Sequence, residues 1–359
     1  MIRTFLQALF LSLGLGLGIF LTPAHAQPAG ARGDNFVYIV QKDDTVALIA
    51  ERFTNQAKHW RAIKAYNNIS DVYAIPIGKQ VLIPFKYIDT LPERAQVTSL
   101  VGEVYVDDQA LTSEQSVQES QVIRTGPNSS VSLNLTNGNK VFIAPNSIVS
   151  IQRLRSFSGT GLIDAIFNAQ VGSFTADVNA ENTGVGRFEI RTPVSITGVR
   201  GTEVRNHVDS DGNTVVELLR GKTDISPASR PDRRQALAPN QGISISAKGG
   251  VGQALELPTA PAISTQVNQS KQELALQIHP VNEAQRYLVR YTTDEDGMRE
   301  IARFNTQVLD NILPLPTANY RFYTQVRAIN AQGMGGDEQT ALIVLQSPSE
   351  TDSSVDKLP

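Results

Sequence analysis

Few residues in this chain of 359 have types and spacings that could do chemistry. Asp43 and Asp44 form an adjacent acidic pair. Two carboxylates can cleave a glycosidic bond, but they must flank it at a defined separation, and sequence neighbours rarely aim both groups at one bond. Asp209-Ser210-Asp211-Gly212-Asn213 has the opening of a calcium loop. The closing glutamate of such a loop is missing and no flanking helices are visible, so the run reads as a hairpin turn. His25, His59, His207 and His279 show no metal-ligand spacing. Cysteine is absent, which removes disulfides, thiolate nucleophiles and thiolate metal sites together. No G-x-S-x-G, Walker A or dinucleotide fingerprint is present. The expectation is a binding protein, not an enzyme, with no cofactor and no resident metal.

The bulk charge narrows the partners. Net charge is −3 and the pI about 5.9, which gives no basic field for nucleic acid or an anionic membrane surface. Arg230, Arg233 and Arg234 form one small basic cluster in a proline-containing stretch, read as a solvated loop.

Six segments must position whatever chemistry remains. Residues 1–26 read as a signal peptide: Arg3, an apolar run from Phe5 to Leu21, Pro23, and a small-x-small site at Ala24-His25-Ala26. No later stretch is apolar and long enough to cross a membrane. The mature chain is therefore expected in the periplasm or outside the cell. Residues 27–35 read as a linker. Residues 36–88 read strand, helix, helix, strand. VYIV alternates, Asp43-Asp44-Thr45 is a capping cluster, and Val46, Ile49, Ala50 and Phe53 share one helical face. Trp60, Ile63 and Tyr66 repeat that spacing and read as core.

Residues 95–250 show the short alternating runs of an all-β domain, with hairpin signals at Asn137-Gly138 and Asp211-Gly212. The pattern leaves a sandwich and a short β-helix open, and IDAIFNAQ (163–170) reads as either a short helix or the start of a strand. A loop is expected over 226–242. Gly198 and Gly201 bracket Val199-Arg200 in what reads as a tight turn between paired strands. Arg200 there either meets a partner carboxylate or folds back onto backbone carbonyls. Residues 258–347 are again β, with a hairpin at Asp296-Gly297 and a long strand within 319–336. The polar, acidic tail 348–359 is expected to be disordered.

Three resemblances follow from these runs. YIVQKDDTVALIAERF, WRAIKAYNNIS and IPIGKQVLIP, within residues 38–84, resemble the LysM family. Family members carry glycine-aspartate-threonine in the first loop; here Asp43 stands at the glycine and Asp44-Thr45 match. The resemblance implies a βααβ module that binds N-acetylglucosamine in peptidoglycan or a chitin-like glycan. Carried over, the groove residues are Asp44, Thr45 and Val46 on one loop, and Asn67, Ile75 and Pro76 on the other. An uncharged sugar needs backbone donors and acceptors and an apolar wall, which suits two converging loops. Asp44 and Thr45 also read as helix caps.

VTSLVGEVYV, the run 122–151, TPVSITGVRGTEVRNHV and TVVELLRGKTDI, together spanning 97–225, resemble the FecR domain. Its motif residues here are Thr192, Pro193, Gly198, Arg200, Gly201 and Thr202. That family is best known for regulators working with sigma factors at a membrane, and this chain lacks the helix that would cross to the cytoplasm. YLVRY, NYRFYTQVRAIN and QGMGG resemble a fibronectin type III or related immunoglobulin-like sandwich. The expectation is a mainly β, multidomain, non-enzymatic envelope protein, associated with the cell wall. It binds peptidoglycan and presents its middle domain to an envelope protein partner. A periplasmic signalling accessory is the alternative.

Overall fold

The structure, a computed structural model, describes residues 30–136, 138–178, 185–317 and 320–345. The expected signal segment, the expected tail, Asn137 and the side chain of Arg200 lie outside what is described. No helix among the described residues is long and apolar enough to cross a membrane.

The first module is built on the strand Asn35–Ile39, the helix Val46–Thr54, a short helix Trp60–Tyr66 entered through a 3-10 turn, and the strand Gln80–Pro84. The two strands pair antiparallel, with Val37 opposite Leu82. Ala31–Arg32 adds a third strand where composition suggested a linker. The first helix buries the predicted face: Val46, Ile49, Ala50 and Phe53. Phe53 meets Phe36 at 4.9 Å between ring centroids. The second helix buries only Ile63 fully. Trp60 is partly buried against this core, and Tyr66 is half exposed, contrary to its expected core position. The short helix ends one residue later at Asn67, so Tyr66 has no turn beyond it to pack against.

The core of this module does not close on itself. Phe157 and Leu162, from a hairpin of the middle domain, belong to the same buried cluster as Phe36, Ile49 and Ile88. Phe85 stacks on Phe157 with centroids 4.3 Å apart. The strand Thr90–Pro92 leads out of the module and pairs with Arg155–Phe157 of that hairpin. Burying two large side chains across the junction stabilises it by about 3–6 kcal/mol.

Among the described residues, the middle region is one hydrogen-bonded sheet of sixteen strands curled around a single core. IDAIFNAQ lies within a fifteen-residue strand, Ile163–Asp177. Ile163 to Phe167 are all buried, so no alternation marked it as strand. Its first half runs parallel to Val185–Arg191; its second half pairs antiparallel with Ser195–Val208. Gly172 sits at that handover with φ +93°, and a Cβ there would meet Ser147 Cα at 2.5 Å.

Ser195–Val208 and Thr214–Pro227 are fourteen-residue partners joined through Asp209–Asn213. The Asp209 carboxylate accepts from the backbone N–H groups of Asp211 and Asn213, so this run is a turn closed on itself. The glycines of the expected tight turn do something else. Gly198 and Gly201 lie inside one continuous strand, and the register slips between Arg200 and Glu203. Gly201 (φ +62°) faces Gly221 (φ +86°) across a β-bulge, where a Cβ on Gly221 would come within 2.1 Å of the Gly201 carbonyl oxygen. A short strand, Gln235–Leu237, interrupts the loop expected over 226–242.

Among the described residues, the C-terminal region is a sandwich of seven strands. Three strands (Ile263–Asn268, Glu273–Ile278, Asp310–Pro314) face four (Glu300–Thr306, Ala284–Thr292, Arg321–Asn330, Gln339–Val344). Leu274, Leu276, Val289, Tyr291, Phe322 and Val326 fill the space between them.

Candidate functional site

The two loops that flank the first module's strands meet. Val46 donates its backbone N–H to the Val72 carbonyl at 3.2 Å, joining the loop after the first strand to the loop before the last. The second loop is fixed at both ends. Tyr73 donates its N–H to Asp71 Oδ1 at 2.8 Å, and Gly78 donates to the Val40 carbonyl at 2.8 Å.

Each residue expected in the groove has an identifiable place. Asp43, at the position where glycine was expected, adopts φ +67°, a left-handed conformation that aspartate tolerates better than most residues. Asp44 is buried. Its Oδ2 accepts from the Tyr38 hydroxyl and from the Gln41 N–H, each at 2.7 Å, and its Oδ1 lies 3.2 Å from Arg52. That carboxylate organises the loop from inside. Burial, with a hydrogen bond to Asp44, pushes the Tyr38 hydroxyl up to about 12. Thr45 Oγ1 caps the helix by accepting from the Leu48 N–H at 3.2 Å. Val46 and Ile75 are buried, and Pro76 is exposed.

Asn67 ties the second helix to the last strand. Its Nδ2 donates to the carbonyls of Ile63 (2.8 Å) and Leu82 (2.7 Å), and its Oδ1 accepts from the Leu82 N–H (2.7 Å). Its side chain is fully used within the fold. Of the six expected residues, Pro76 is exposed and Thr45 and Asn67 are half-buried, while Asp44, Val46 and Ile75 are buried and, with the engaged Asn67, build the frame.

The apolar surface beside these loops comes from residues the sequence reading passed over. Tyr73 is 83% exposed, Ile77 68% and Leu48 48%. Leu48 stands off the buried helical stripe, and Tyr73 and Ile77 sit in a turn-rich loop where no packing requires them. A large side chain in such a segment was the available signal. Fixed backbone groups edged by an apolar surface suit a neutral, hydroxyl- and acetamide-bearing ligand. With Asp44 engaged by Tyr38, Gln41 and Arg52, the Asp43–Asp44 pair offers no second free carboxyl for bond cleavage.

The middle-domain motif is structural at its start. Thr192 Oγ1 accepts from the N–H of Ser195 at 3.0 Å and lies 2.8 Å from Ser195 Oγ and 3.0 Å from Thr214 Oγ1, all buried. Pro193 occupies the intervening exposed turn, and Thr202 is buried beside the bulge. Gly198 and Gly201 border an open cleft of about 2180 Å³ that runs along the sheet face to Phe85 and Lys86.

Comparison with curated proteins finds no match. Among solved structures, a protein from Parabacteroides distasonis provisionally assigned as an anti-sigma factor is 18% identical. That match has a TM-score of 0.30 and covers 38% of this chain and 58% of that one. The FN1–FN3 domains of chicken CNTN1 are 12% identical with a TM-score of 0.23, covering 70% of this chain and 100% of that one. Two families are recognised in separate parts of the sequence: residues 38–84 match the LysM domain, and residues 121–223 match FecR protein.

Proposed function

We propose that this chain is a non-enzymatic protein of the bacterial envelope that binds peptidoglycan through residues 38–84 and holds its middle domain toward an envelope protein partner. The observation that carries the reading is the LysM match together with two converging loops edged by Leu48, Tyr73 and Ile77. Thr45 and Pro76, with the backbone of both loops, face the sugar; Asp44 and Asn67 hold those loops in place. The protein is exported and works in the periplasm or at the cell wall. One sugar site of this size binds weakly, so retention gains from a second contact through the partner.

The test is co-sedimentation of the chain from Gln27 with purified sacculi, beside a variant carrying Tyr73→Ala and Ile77→Ser. Both side chains are exposed, so the variant keeps its fold. Loss of sedimentation in the variant supports the assignment; equal sedimentation of the folded variant sinks it. A second reading, a signalling accessory, is favoured by the FecR match over 121–223. It requires that deleting the gene change envelope-linked transcription, and that crosslinking from the cleft near Gly198 capture a membrane protein.

A further inference from the structure

The net charge of −3 conceals a segregation. Residues 36–88 carry seven Lys and Arg against four Asp and Glu, whereas the whole chain has 32 against 35. The excess lies in the module's second half. From Arg52 to Ile88 there are six basic residues and one acid, Asp71. Among the described residues, Arg52 pairs with the buried Asp44, while Lys58, Arg61, Lys64, Lys79 and Lys86 have no carboxylate within 4.0 Å.

Three of these cations form a row. Lys58 in the 3-10 turn, and Arg61 and Lys64 on the short helix, recur every three residues and share one face about 9 Å long. Lys58 and Arg61 are exposed and Lys64 is half-buried. Aromatic rings, not carboxylates, hold the cations here. The Arg61 guanidinium lies 4.9 Å from the Trp60 ring centroid, and Lys86 Nζ lies 5.1 Å from that of Tyr87. The Tyr87 ring is 4.8 Å from that of His59, which brings Lys86 beside the start of the row. A cation over a ring is positioned without being neutralised. The far end of the row reaches the groove: Lys64 stands three residues before Asn67, where the helix ends and the second groove loop begins.

We propose that this row binds the carboxylates of the peptide side chains borne by peptidoglycan, next to the sugar held between the two loops. The inference rests on the glycan-binding reading above and adds a second, charged ligand class to it. A glycan seated in the groove brings its peptide appendages to Lys64 at an effective concentration that a free peptide lacks. Ammonium and guanidinium groups both suit a carboxylate. An anionic bilayer suits the module less: the groove loops carry exposed Asp43 and Asp71, which would repel it.

The chain from Gln27 is sedimented with intact sacculi, with the same sacculi freed of peptide by an amidase, and with vesicles rich in phosphatidylglycerol, each at low and high salt. Wild type binds intact sacculi more tightly than peptide-free glycan, and the difference disappears at high salt. This comparison needs no variant. Lys58→Gln, Arg61→Gln and Lys64→Gln together weaken binding to intact sacculi by about 3- to 100-fold, the worth of three exposed ion pairs. They leave binding to peptide-free glycan unchanged, and the Trp60 midpoint in urea checks the fold. Equal binding of wild type to both forms of sacculus overturns the proposal and leaves the glycan reading standing. Salt-sensitive binding to intact sacculi with none to peptide-free glycan sustains the row and overturns the glycan reading instead. Capture by the vesicles, without preference for intact sacculi, assigns the row to a membrane and overturns the proposal. Binding to neither form of sacculus overturns both readings.

Discussion

Asp44→Ala separates a residue that touches sugar from one that shapes the loop. The substitution removes two 2.7 Å bonds to a charged acceptor, from Tyr38 and from the Gln41 N–H, and the 3.2 Å pairing with Arg52. Hydrogen bonds to charged groups contribute about 1.5–3 kcal/mol each. Gln41 is partly exposed and its N–H regains water in the variant, so the lower end applies to it. The Arg52 side chain is 49% exposed, which holds its share below about 1 kcal/mol. The first module should lose about 3–5 kcal/mol. Trp60 is the chain's one tryptophan and packs against this core, so its fluorescence in a urea titration reports the module. Sacculus binding is then measured below the unfolding transition. An unshifted midpoint with sugar binding lost would refute the reasoning and make Asp44 a direct ligand contact.

Leu162→Ala should cost about 2–5 kcal/mol, and should lower the Trp60 transition although Leu162 belongs to the middle domain; an unmoved Trp60 midpoint would show that the cores are separate. Gly221→Ala places a methyl against the Gly201 carbonyl at φ +86°, which should destabilise the middle domain by at least about 1–3 kcal/mol from backbone strain alone. An unchanged circular-dichroism melt would exclude the bulge. Folded Tyr38 keeps its proton to about 12, whereas the unfolded side chain releases it near the usual value of about 10. Between those values the native state binds more protons, so its stability falls as pH rises from 10 to 12. Followed through Trp60, Tyr38→Phe should flatten that fall in the first module, whereas Tyr291, which burial also pushes up, keeps its own share in the sandwich; an unchanged Trp60 slope would assign the loss to another group.

What could be read from the chain was what depends on near neighbours. Val46, Ile49, Ala50 and Phe53 declare their helix through spacing alone, and Asp209 closes its turn within four residues. The role of Gly201 could not be read that way. Its bulge needs Gly221 on the partner strand, so glycines that resemble a local turn serve a distant pairing. Ile163 to Phe167 were ambiguous because a strand buried on both faces has no alternation. In the candidate groove, Asp44 and Asn67 have side chains that could bind sugar, but Tyr38, Leu82 and Arg52 use them first. The charge cluster between the middle domain and the sandwich was hidden because its members lie more than a hundred positions apart, as with Arg205 and Glu338.

The shared core at the junction gives the molecule a fixed posture. A module joined by a slack leash would let the rest of the chain swivel above any polymer it grips. Here Phe157 and Leu162 are seated in the first module, and Thr90–Pro92 is stitched into the next sheet, so grip and tilt are set together. Under the proposed function, anchoring would work as a bracket: the orientational freedom of the middle domain would be surrendered once, on attachment, and not lost again when a partner arrives. A tug on the anchor is borne by a hydrophobic plug and a strand pair in concert.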